Sequence, residues 1–127
     1  MTASLFLSQT LSDCSTLTSI IGERYWPVII PDDKFEAPCI DYTTTSSNPQ
    51  YVKSGYVYDV ATVEIYIYTK TYAQGVQIAQ IIRDYVEHKT INKQQITVND
   101  QNENYDIVKK CYLQILELQV KFSYLDA

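Results

Sequence analysis

The sequence predicts an α+β fold: an antiparallel β-sheet of about five strands with two main helices packed on one face. Three observations carry that reading. Residues 57–68 alternate aliphatic with polar or tyrosine side chains, and residues 71–88 repeat apolar side chains at helical spacing. Three prolines closely follow a glycine that ends an earlier helical stretch. With 127 residues, 46% hydrophobic and 20% charged, the chain suits a single domain over 1–127 with a core of its own.

Leu7, Leu11, Cys14, Leu17 and Ile21 recur close to the helical period over residues 4–21. Ser15 is placed to cap a second short turn, so this segment is one helix or two. Gly22 supplies the stop, and Pro27, Pro31 and Pro38 keep the next stretch out of helix. "RYWPVII" and "APCIDYTTT" read as strands joined by the loop "PDDKFEA". Pro38 enters the second strand at its first position, where a missing N–H is tolerated. "SSNPQYVKSG", residues 46–55, reads as a polar, turn-rich connection.

In the third strand Val57, Ala61, Val63, Ile65 and Ile67 face one way. Tyr58, Thr62, Glu64, Tyr66 and Tyr68 face the other. Thr71 and Gln74 form a capping box for the next helix, whose apolar stripe is Ile78, Ala79, Ile82, Tyr85 and Val86. "QITVND" reads as a short strand, "NDQNEN" as a polar loop, and residues 111–124 as the last strand. Leu116, Leu118, Val120 and Phe122 share one parity there, while Leu113 and Ile115 take the other. Either a bulge shifts the register or that end is covered on both faces.

Catalytic and metal chemistry find no footing in these residues. His88 is the sole histidine and falls on the polar side of the second main helix, one turn after Asp84, as a solvated pair would. Asp32 and Asp33 are consecutive, and consecutive side chains do not converge on one reacting atom. "DQNENYDIVKKC" opens like a calcium loop but has Tyr105 where Gly belongs and Cys111 where Glu belongs. Cys14, Cys39 and Cys111 are widely spaced, giving neither a zinc pattern nor a disulfide framework. Three isolated glycines build no phosphate cradle, and no G-x-S-x-G elbow is present. No catalytic residue, metal ligand or cofactor is therefore expected.

The net charge of −5 and the lack of a basic stripe argue against tight binding to phosphate backbones. The N-terminal run carries no signal-peptide pattern and no stretch is apolar enough for a membrane helix, so a protein made in a cytoplasm is expected. Twelve tyrosines suit a sheet face that meets a partner, and equally a sheet that stands alone. Asp41, inside a strand, faces either a polar surface or a partner.

The stretch "LTSIIGERYWPVIIPDD…APCIDY" followed by "VATVEIYIYTKTYAQGVQIAQIIRDYV" resembles the tail-completion, or head–tail joining, proteins of long-tailed bacteriophages, the tail-terminator group. The shared features are a short helix ending before Gly22, Arg24 and Tyr25, and a proline loop leading to Pro38 and Ile40. A long strand over Val60–Tyr68 then runs into a helix with small residues Ala73, Gly75 and Ala79. The likeness covers roughly residues 15–90, with Cys39 where an aromatic is more usual. It implies a structural virion protein that caps the tail tube and joins the tail to the DNA-filled head as a ring, typically of six subunits. The implied partners are the chain itself, the tube protein and head–tail connector proteins. DNA would pass through the ring without specific binding, and no membrane is involved. The implied location is the head-proximal end of the tail, with assembly in the host cytoplasm. Interface candidates are Tyr51, Tyr56, Tyr58, Tyr66 and Tyr68. Alternatives are another minor tail or connector protein, or a small-ligand domain with a pocket between sheet and helices.

Overall fold

The computed structural model describes residues 3–52, 55–87, 90–91 and 94–122, with side chains described for 5–50, 59–87 and 96–121. His88 lies outside the described residues. The α+β class holds. Two helices, α1 (Ala3–Asp13) and α2 (Ser15–Ile21), precede β1 (Tyr25–Pro27), β2 (Cys39–Val52) and β3 (Gly55–Thr69). Helix α3 (Tyr72–Val86) follows, and β4 (Thr90–Ile91), β5 (Gln94–Asp106) and β6 (Cys111–Phe122) complete one sheet in the order β1-β2-β3-β6-β5-β4. Every pairing is antiparallel except β1 with β2, which is parallel.

The N-terminal segment is two helices, broken at Cys14, whose backbone is extended (φ −82°, ψ 92°). Cys14 rather than Ser15 occupies the cap position of α2, and it makes no side-chain cap bond. Helix α2 ends at Gly22, where φ is +60°, a region that costs any residue with a Cβ. Arg24 then ties the corner together. Its side chain donates to the carbonyls of Ile20 (3.2 Å) and Pro38 (3.0 Å), while its own carbonyl accepts from the N–H of Ile40 (3.0 Å). One guanidinium thus fixes the end of α2 against the start of β2.

The helices share one face of the sheet. Leu7, Leu11, Leu17, Ile21, Ile78 and Ile82 pack there against Ile40, Ile65, Ile67, Leu116 and Leu118, all essentially without exposure. Each such side chain contributes about 1.5–3 kcal/mol on burial. At the start of α3 the Thr71 Oγ1 accepts from the N–H of Gln74 (3.3 Å), as the capping pattern requires. Gly75 sits one turn in, where a Cβ would stand 2.9 Å from Thr69 Oγ1 and 3.3 Å from Gln114 Cγ. Only glycine permits so close a crossing of helix over strand.

Three expectations need correction. Of "RYWPVII" only Tyr25–Pro27 is strand, because Val28 turns to φ +67° and leaves the extended region. Residues 46–52 are not a connection. They continue β2, paired from Ser46↔Thr62 to Val52↔Gly55, since the long β3 offers a ladder to polar residues of poor strand propensity. The "NDQNEN" loop is likewise strand, paired along β6 as far as Asp106↔Cys111. The shift expected near the last strand falls in β5, between Val98 and Asp100, while β6 runs unbroken against β3. Leu113 and Gln114 are both buried on opposite faces, so that end of the sheet is covered twice.

Candidate functional site

The face of the sheet opposite the helices carries Asp41, Tyr66 and Tyr68, set by β2–β3 register with Asp41 against Tyr66 and Cys39 against Tyr68. Over it folds the segment after β1. Phe35 packs edge-to-face on Tyr68, with ring centroids 5.3 Å apart. From the far side Lys109, in the β5–β6 turn, lays its ammonium 4.3 Å from the centre of the Phe35 ring and 3.8 Å from Asp32. Between these pieces lies a cavity of about 450 Å³, floored by Asp41, Thr43, Tyr66 and Tyr68 and flanked by Val28–Ile30, Asp32 and Lys109.

Asp41 is only 8% exposed. The Tyr68 hydroxyl donates to its Oδ2 at 3.2 Å. Burial outweighs that bond and pushes the carboxyl up from its ordinary 3.8 to about 6. Tyr68, buried beside the same carboxylate, is pushed above the ordinary tyrosine range. The Tyr66 hydroxyl donates to Glu64, and chiefly for that reason Tyr66 rises to about 12. Cys39, buried at the foot of the face, is raised to about 11 and stays a thiol, as an inert buried cysteine does. Among the described residues no cluster of His, Cys, Asp and Glu could hold a metal ion. No helix among them is long and apolar enough to cross a membrane.

A second candidate is the outer half of the β2–β3 hairpin. Residues 45–50 are exposed, so this part projects past the helices as a ribbon. Among the described residues β1 covers the outer edge of β2 only as far as Tyr42. The remaining edge, Thr43–Val52, carries no charge and contains Pro49. The structure separates the sequence's interface residues into two places. Tyr66 and Tyr68 lie on the open face beside the cavity. Tyr51, Tyr56 and Tyr58 lie along the ribbon, and their side chains fall outside the described residues.

Sequence reasoning missed the rim. Val28, Ile29, Ile107 and Val108 are 69–89% exposed; the first two line the cavity, and the other two immediately precede Lys109, which lines it and touches Asp32 and Phe35. Val28 and Ile29 fall within the strand expected for "RYWPVII", and the signal for the rest is Ile107-Val108 after a polar run, a pair that belongs to neither a helical nor an alternating pattern.

A ribbon projecting from a two-layer α+β domain defines the class of molecule. No family model and no curated protein matches the sequence. Among solved structures the fold is similar to that of a chain in the virion of a native gene transfer agent particle. The TM-score is 0.69, and the superposition covers 97% of this chain and 99% of that one at 11% sequence identity. What the two share at that identity is the fold.

Proposed function

We propose that this chain is a structural virion protein that caps the tail tube of a phage-like particle and joins the tail to the DNA-filled head, acting as an oligomeric ring. The observation that carries the reading is a shared fold covering nearly all of both chains, the other being part of a virion. The resemblance of residues 15–90 to tail-completion proteins supplies the finer assignment within that class. In this reading the subunits form a closed ring, of six by the resemblance, through heterologous contacts. Such a ring needs a surface on each subunit that fits a different surface on the next. The hairpin ribbon is suited to this, because an isolated two-stranded ribbon is marginally stable in water and gains order by packing on a neighbour. Tyr51, Tyr56 and Tyr58 are the contacts assigned to it, with tube and connector proteins as the further partners. The net charge of −5 suits a ring that lets DNA pass without holding it.

A small-ligand domain would need its pocket between sheet and helices. That space is filled by Leu7, Leu11, Ile65, Ile78 and Leu116, each 0–1% exposed.

The test is to disrupt the gene in the element that encodes it and image the particles by electron microscopy. Filled heads lying apart from unattached tails, some of abnormal length, are expected. Intact infectious particles would overturn the assignment. Deleting residues 48–58 is expected to give the same lysate while the purified subunit keeps its cooperative unfolding. Normal particles from that deletion would remove the ribbon from the interface.

A further inference from the structure

The cavity on the open face has the chemistry of a receptor for a cationic side chain. We infer that it takes an arginine presented by another protein, its guanidinium on the Asp41 carboxylate between Tyr66 and Tyr68, and its apolar neighbours on the rim of Val28, Ile29, Ile107 and Val108.

Charge complementarity is the first argument. Two carboxylates, Asp32 and Asp41, face the cavity against one ammonium, Lys109. That ammonium lies at the mouth, 3.8 Å from the exposed Asp32 carboxylate and over the Phe35 ring, and acts on Asp41 through space without pairing with it. Asp41, deeper and 92% buried by its 8% exposure, has one neutral donor at 3.2 Å and no ion pair among the described residues. A carboxylate can accept about four hydrogen bonds, and burying it with one is costly. A guanidinium meets this need better than an ammonium does. It offers two parallel N–H donors to one carboxylate and a flat face to aromatic rings. Lys109 over Phe35 shows the same cation–ring chemistry already at work at the entrance.

The rim supplies the second argument. Val28, Ile29, Ile107 and Val108 are exposed by 69%, 72%, 81% and 89%, the four largest values among the exposed large hydrophobic residues. Val28 and Ile29 line the charged cavity and Ile107 and Val108 precede the lining Lys109, the arrangement of an interface: a polar anchor at the centre and apolar surface that excludes water near it. Val28 also holds φ +67°, which a β-branched residue adopts only against strain, and so the rim is kept in place at a cost in local energy. The occupant is therefore a basic residue flanked by apolar ones on a partner's surface segment, not a free small cation, which would leave the rim unused.

The probe is the peptide acetyl-Leu-Arg-Leu-amide, titrated into the full chain and followed by amide chemical shifts. Saturable shifts are expected at Asp41, Tyr66, Tyr68 and the two rim loops. Binding should be at least five-fold tighter than that of the same peptide with neutral citrulline in place of arginine, and tighter than its lysine analogue. Asp41→Asn, isosteric and able to keep the Tyr68 bond, should reduce the arginine peptide to the citrulline level. Ile29→Ser and Val108→Ser, at exposed positions that leave the core intact, should weaken it several-fold. Equal binding of the arginine and citrulline peptides, shifts located elsewhere, or indifference to Asp41→Asn would each overturn the inference. A lysine peptide that binds as tightly would overturn the guanidinium assignment.

Discussion

The two faces of the same sheet treat their polar groups in opposite ways. Under α3, Arg83 donates to Gln101 (2.8 Å), Gln101 to Gln114 (3.1 Å) and Gln114 to Glu103 (2.8 Å). The Tyr72 hydroxyl completes the chain on Glu103 and, with Gln114, holds that carboxyl below its ordinary range. Apart from the buried Nε of Arg83, which has no partner among the described residues, these groups satisfy one another within the chain. On the open face Asp41 is only 8% exposed, yet among the described residues it has a single hydroxyl as hydrogen-bond donor, with Lys109 acting on it through space, and an ionisation shifted by burial. One face is closed by the chain itself, and the other keeps bonding capacity in reserve. The lesson is that burial alone does not identify a core. What separates core from site is whether the buried polar groups find their partners inside the molecule.

Adjacent residues of β3 give the largest test of this contrast. Ile65 is 0% exposed among the helices and Tyr66 lies on the open face. Ile65→Ala is expected to lower stability by about 3–4 kcal/mol, and Tyr66→Ala by about 1 kcal/mol, in urea unfolding. Equal losses would mean that the open face is core as well.

Asp41→Asn should act in the opposite direction. The groups around this carboxyl are Tyr66 and Tyr68 on β3, Lys109 in the β5–β6 turn, Asp32 on the covering segment, and Cys39 on its own strand. The folded carboxyl titrates near 6 against 3.8 when unfolded, so between those values the folded state binds more protons. Stability therefore falls as pH rises from about 4 to about 6 and stays lower above that, by roughly 2–3 kcal/mol. Asn removes that loss, raising stability at pH 7.5 by about 2 kcal/mol and flattening the slope between urea midpoints at pH 4.5 and 7.5. An unchanged slope in the variant would place the titration elsewhere.

The smallest effect belongs to the closed face. Gly75→Ala gains about 1 kcal/mol of helix propensity but sets a methyl 2.9 Å from the hydroxyl of the fully buried Thr69. A net loss of about 1 kcal/mol is expected, recovered when Thr69→Ala is added. Net stabilisation by Gly75→Ala alone would show that the crossing of α3 over β3 can yield.

How much of this was legible in the sequence follows from the same division. Strand β3 was readable because one of its faces meets a mainly aliphatic core, so its alternation is clean from Ala61 to Ile67. Gly22, the Thr71 cap and the stripe of α3 were readable because each rests on local geometry. The ribbon was not, since "SSNPQ" is strand only through its pairing with β3, a contact that no local pattern encodes. The second half of strand β5, beyond the short strand read from "QITVND", was hidden in a similar way. Its polar Gln101 and Glu103 point under α3 into a hydrogen-bond network where an aliphatic signal would be expected. For the site, Tyr66 and Tyr68 were found by their parity. Asp41 was noticed but not oriented; Val28 and Ile29 read as strand by sequence, which the positive φ of Val28 ends, and Ile107-Val108 went unread because exposed aliphatic residues in loops follow no period.

Pro49 gives the ribbon one more property. An exposed, uncharged strand edge is a template on which further chains can add without limit, the route by which soluble sheets turn into fibres. Proline has no N–H, so the edge from Thr43 to Val52 is split into two short runs of donors and acceptors. A strand laid along it loses its ladder at that position and cannot propagate the pairing over the full length. Edge-to-edge pairing between copies of the chain at high concentration is thereby curbed, while side-chain contacts along the ribbon stay available.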